Sequence, residues 1–138
     1  MRMIKKVSFF VVCVLFLAVG CNKSNRHNPF AGTRWSAPMS SYFKDLYVIS
    51  FSDADYNYYM ADENGVFSHY LDKGTYTFED NNLSAQSSGE YVSSEQYDVS
   101  YVVLGATLSV DLLTVRLKVI QVGVPIPEHE IEKTFTKL

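Results

Sequence analysis

From residue 46 onward, apolar and polar residues alternate with a period of two, the signature of half-buried β-strands. Tyr47, Ile49 and Phe51 share one face. Tyr56, Tyr58 and Met60 share another, with Asn57 and Tyr59 opposite. Asn64-Gly65 then predicts a type I′ hairpin, because both positions tolerate positive φ, and 66–71 is the return strand. Gly74 predicts a bulge or bend before Tyr76 and Phe78. Asp80-Asn81-Asn82 is a turn leading into Leu83 and Ala85, and the polar stretch 84–94 reads as a loose loop. Tyr97, Val99, Tyr101 and Val103 alternate next, Gly105-Ala106 suits a tight turn, and Leu108 and Val110 follow. The cleanest alternation is Leu113, Val115, Leu117 and Val119 against Thr114, Arg116 and Lys118. Pro125 and Pro127 remove two ladder donors and make 121–130 an irregular loop. The stretch 131–137 closes the chain with Phe135 facing the core. Only 37–44 hints at a helix, with Met39, Tyr42 and Phe43 at i, i+3 and i+4 behind Pro38.

This order predicts an all-β domain, an antiparallel up-and-down barrel of 8–10 strands. Sequential hairpins need no long crossovers, and closure removes the exposed edges of such a sheet.

The start of the chain follows different rules. Arg2, Lys5 and Lys6 precede an apolar run from Val7 to Val19, broken only by Ser8. Thirteen residues fall short of the roughly 20 that span a bilayer, so the segment reads as a cleaved secretory signal over 1–20. It ends Leu17-Ala18-Val19-Gly20-Cys21, which resembles the lipobox of bacterial lipoprotein precursors. That resemblance implies cleavage before Cys21 and acylation of Cys21, with the membrane as a partner through the lipid. The alternative is plain secretion, because Ala18-Val19-Gly20 also suits an ordinary signal-peptidase site. Asn22 is not the Asp that retains such lipoproteins at the inner membrane, and Lys23 and Arg26 are not the acidic residues of surface-exported ones. The resemblance therefore implies the periplasmic face of the outer membrane. Residues 21–32 are expected to be the lipidated end and its tether, and 33–138 the folded domain.

A second resemblance covers 33–138. Gly32-Thr33-Arg34-Trp35, Val48-Ile49-Ser50-Phe51, Gly74-Thr75-Tyr76-Thr77-Phe78, Leu108-Ser109-Val110 and Thr134-Phe135-Thr136-Lys137 together look like small lipocalin-like barrel lipoproteins. In lipocalins a Gly-x-Trp begins the first strand and its Trp plugs the closed end; here one more residue separates Gly32 from Trp35.

Charge and cysteine content remove several classes of function. Residues 21–138 carry nine Lys and Arg against fifteen Asp and Glu, a formal charge of −6. The cations are scattered, whereas a nucleic-acid partner requires a basic face. Cys13 lies in the signal, so Cys21 is the sole cysteine of the mature chain and can form no disulfide within it. Asp53, Asp55 and Asn57 have the spacing of the first ligands of a calcium loop. Tyr58 and Asn64 occupy the positions where such a loop needs Gly and Glu. Glu128-His129-Glu130 points in two directions on an extended chain. No cofactor motif, nucleophile elbow or thiol nucleophile is present, and no enzymatic activity is expected.

The tyrosines stand above background, ten of them beside nine Phe. Tyr56, Tyr58, Tyr76, Tyr97 and Tyr101 fall on apolar strand faces. They describe either a packed core with hydroxyls at the rim or a cavity for a small amphipathic ligand. Two functions follow: a ligand-binding barrel lined by these five residues, or a non-catalytic envelope interaction protein or hydrolase inhibitor working through its loops. Val122, Val124, Pro125 and Ile126 form the candidate contact loop.

Overall fold

A computed structural model describes residues 27–94, 98–123 and 127–138. Eight antiparallel strands make one closed barrel. They are β1 (Arg34–Pro38), β2 (Leu46–Phe51), β3 (Asp55–Ala61), β4 (Phe67–Glu79), β5 (Asn82–Ser87), β6 (Val99–Ser109), β7 (Leu112–Gln121) and β8 (His129–Lys137). Each strand pairs with the next, and β8 returns to β1 through Trp35↔Lys137 and Ser36↔Thr136. The up-and-down meander read from the alternation is the observed topology, and eight is the observed strand number.

An eight-stranded barrel leaves an interior just wide enough for side chains to fill. Trp35, Ile49, Tyr56, Tyr58, Leu83, Val103, Leu113, Val115, Leu117 and Phe135 are all fully buried. The parity assigned to the β7 strand is correct, since Leu113, Val115, Leu117 and Val119 all point inward. The two ends differ. One receives the N-terminal segment and the short connections after β2, β4 and β6. The other, the mouth, issues the longer connections 39–45, 62–66, 88–98 and 122–128.

The plugged end shortens the expected tether. Asn28 Oδ1 accepts from the amides of Phe30 and Ala31 at 2.9 and 3.2 Å, a local turn that swings Phe30 under the barrel. Phe30 is wholly buried, and its ring lies 5.6 to 6.3 Å from those of Phe51, Tyr76 and Phe78. Trp35 is buried beside this group, its Nε1–H donating to Thr33 Oγ1 at 2.9 Å. The folded unit therefore starts at about Asn28, not at residue 33.

Five local expectations change. Residues 37–44 form no helix: Pro38 ends β1, and Ser40 Oγ accepts from the amides of Tyr42 and Phe43. Two turns are too few to hold without a buried face, and Tyr42 is 92% exposed. At Asn64-Gly65 only Gly65 has positive φ, so the turn is not type I′. Asp62 organises it, its carboxylate accepting from the amides of Asn64 and Val66 at 2.9 Å. Gly105 lies inside β6, not in a turn, with a register shift between Val103 and Gly105. The hairpin turn comes later, at Val110-Asp111, with φ of 50° at Val110. Gly74 does not break β4; a Cβ there would sit 2.9 Å from the Tyr56 ring and closer still to the Gln86 carbonyl. The glycine makes room for the ring to cross. Part of the expected 84–94 loop is the strand β5.

Candidate functional site

The barrel interior divides the predicted tyrosines into three places. Tyr76 belongs to the plugged end. Its hydroxyl donates to the Ser52 carbonyl and accepts from Asn28 Nδ2 at 2.9 Å.

Tyr56 belongs to the middle. Its hydroxyl donates to Asp72 Oδ2 at 2.8 Å. The same carboxylate accepts from Ser87 Oγ at 2.6 Å and from the Val103 amide at 2.8 Å. Asp72 is 1% exposed. It lies opposite Tyr58, on the inward face of β4 with Gly74 and Tyr76, and a register shift just before it leaves Leu71 without a partner. Burial, then the Asp72 carboxylate, raises the Tyr56 pKa far above its ordinary value. This hydroxyl is a structural donor, already engaged.

Tyr58 and Tyr101 belong to the mouth, where they meet two residues absent from the sequence-based set, Tyr47 and Lys133. Phe135 and Tyr58 pack edge to face with centroids 6.3 Å apart. Above them the Tyr47 ring lies 6.0 Å from that of Tyr58. Above that, Lys133 Nζ stands 3.8 Å from the Tyr47 centroid, within cation–π range. Burial raises the Tyr47 pKa, helped by the Tyr101 hydroxyl placed to hydrogen-bond with it. Burial also raises Tyr58 strongly, followed by the proximity of Tyr47 and Tyr101. Burial lowers the Lys133 pKa. Tyr47, Tyr101, Ile131 and Lys133 are each partly exposed, whereas Tyr58 and Phe135 below them are sealed. The result is a stack of Phe135, Tyr58, Tyr47 and Lys133 rising from the sealed interior to the partly exposed mouth, with Tyr101 beside it.

Tyr97, Val124, Pro125 and Ile126 lie outside the described residues. Val122 is partly buried, and its amide donates to the Asp98 carbonyl at 3.1 Å, tying the 122–128 connection to the one before β6. Asp53 and Ala54 form the β2–β3 turn, where the Asp55 amide donates to Ser52 Oγ. Glu128 pairs with Lys118 at 2.9 Å. Among the described residues no group of three or more acidic, His or Cys side chains is arranged to hold a metal.

Tyr47 could have been found from its alternation with Ile49 and Phe51. Lys133 carries a weaker signal: it shares parity with Ile131 and Phe135 in an otherwise polar strand. Against known proteins, no family model, no curated protein and no solved structure matches this chain.

Proposed function

We propose that the protein is a non-catalytic, lipid-anchored barrel of the periplasm that binds a small amphipathic molecule at its mouth. One observation carries the binding reading: Tyr47, Tyr58, Tyr101 and Lys133 converge at one end of a barrel whose other end is plugged. Aromatic rings offer apolar contact, and the hydroxyls and amine fix orientation, the usual make-up of a small-molecule site. Tyr56 and Tyr76 fall outside this site because their hydroxyls already serve the fold. The anchor rests on the sequence around Cys21, and the likeness to lipocalin-like lipoproteins supports the same reading. Titration with fluorescent fatty acids and a glycan panel tests the binding. Loss of binding in Tyr58→Ala and Tyr101→Ala supports the mouth site; binding that survives both substitutions removes it. Incorporation of labelled fatty acid that Cys21→Ser abolishes supports the anchor.

A second reading has its own observation. Tyr42, Phe43, Val66 and Phe67 are 92, 66, 62 and 49% exposed, on the mouth-side connections 39–45 and 62–66 and the adjoining start of β4. Exposed apolar residues gathered on neighbouring loops favour a protein partner in the cell envelope. Crosslinking from Phe43 in cells separates this reading from ligand binding.

A further inference from the structure

Asp72 and Lys133 are charged side chains on the inner face of the barrel, and they are treated differently. Asp72 is satisfied by three donors. Lys133 is not matched in this way. It lies on the inner face of β8 with Ile131 and Phe135, opposite Val115 on β7. Glu130 and Glu132 alternate to the outer face. The ion pairs seen among the described residues, Lys44 with Glu63 and Lys118 with Glu128, leave this amine out. Its close contact is the face of Tyr47. An ammonium partly withdrawn from water, without a carboxylate, is costly unless something completes it. The lowered pKa of Lys133 has burial as its cause, in keeping with an amine short of counter-charge.

We propose that Lys133 makes the mouth selective for an anionic head group, a carboxylate or phosphate monoester carried on a short apolar chain. This rests on the mouth being the ligand site. One oxygen of the head group meets Nζ in a charge-assisted hydrogen bond. In the Tyr47–Tyr101 pair one hydroxyl proton is used between the two rings, and the other can donate to a second oxygen. The apolar chain lies along the Tyr47 ring and Ile131. Because Tyr58 and Phe135 seal the floor, the chain stays near the rim and does not thread the barrel.

The test is calorimetric titration of the purified protein with decanoate, decyl phosphate and decanol, which differ at the head group. The two anions should bind about tenfold or more tighter than decanol, the scale of one charge-assisted hydrogen bond. The tighter of the two anions identifies the head group. Lys133→Gln should bring both anions down to the decanol level, and Lys133→Arg, which keeps the charge, should retain the preference. Equal binding of all three compounds, or an anion preference that persists in Lys133→Gln, overturns the role of Lys133 and leaves the mouth site standing. Failure of all three to bind overturns both.

Discussion

The amide of Val103 donates to the carboxylate of Asp72 across a seam in the barrel wall. The last paired residues of β5 and β6 are Ser84 and Gly105. Val103 lies beyond them, where its amide has no strand partner on the β5 side. A side chain from β4 supplies the acceptor at 2.8 Å. The carboxylate thereby does the work of a missing ladder rung, and it gathers Tyr56 and Ser87 while doing so.

Removing that acceptor should be expensive. Asp72→Ala strands two buried donors and a part-buried one, and should cost about 3 kcal/mol or more, by the usual penalty for unsatisfied buried groups. Asp72→Asn should cost clearly less, since its oxygen can still accept from Val103 and its amide can donate to Ser87. Urea denaturation of the two variants checks the order. Equal losses would mean that the charge, not the hydrogen-bond geometry, is what the site requires.

Phe30 gives a prediction about where the domain begins. Phe30→Ala should destabilise the barrel by about 3–5 kcal/mol, as for other buried aromatic truncations. A chain starting at residue 33 should lose at least as much, and one starting at residue 27 should lose little. Thermal melts of the three proteins decide it.

Val110 is β-branched, 89% exposed and held at φ of 50°. Left-handed backbone costs such a residue roughly 1–2 kcal/mol. Val110→Asn, which tolerates this region, should raise stability by about 1 kcal/mol, read as a shift in denaturant midpoint with unchanged slope.

Alkaline pH should unfold the protein through its tyrosines. Tyr47, Tyr56, Tyr58 and Tyr76 all have folded-state pKa values raised above the ordinary 10.0, with burial as the first cause. Their unfolded forms lose protons first, so the stability they contribute is complete below about pH 10 and falls as pH rises beyond it. Lys133 acts oppositely, because burial lowers its pKa from 10.5. Its charged form weighs against folding at neutral pH, and that burden disappears as pH rises toward 10.5. Tyrosinate absorbance should therefore rise in two phases, the second coinciding with loss of the circular-dichroism signal. Lys133→Met should be more stable than the natural chain at pH 7, with a smaller gain near pH 10.5.

How much of this was legible in the sequence varies by element. Over 113–119 of β7 each inward residue is aliphatic and each outward one polar or charged, so the parity, and with it the barrel, could be read directly. The turns were harder. Gly105 suggested a turn, and the one that forms uses Val110, a residue whose side chain argues against it; pairing along β6 and β7 overrides the local preference. Asp72 was missed as an interior residue although it shares parity with Tyr76 and Phe78, because a carboxylate reads as solvated and its three donors lie 15 to 31 residues away in sequence. Tyr58 and Tyr101 were found as members of an aromatic set, but their separation from Tyr56 and Tyr76 depends on hydroxyl partners far away in sequence. Lys133 escaped for a related reason: a lone lysine among Glu132, Thr134 and Thr136 reads as a solvated face.

The turn at Asn28 that carries Phe30 beneath the barrel also gives the molecule a direction. The chain enters at the plugged end, opposite the mouth. Six residues lie between Cys21 and Asn28, a reach of at most about 25 Å. With the proposed acyl group at Cys21, the sealed end would be held toward the bilayer and the mouth turned away from it. Such a protein would exchange its ligand with the aqueous space or with another protein there, and would not draw it straight from the membrane that holds it.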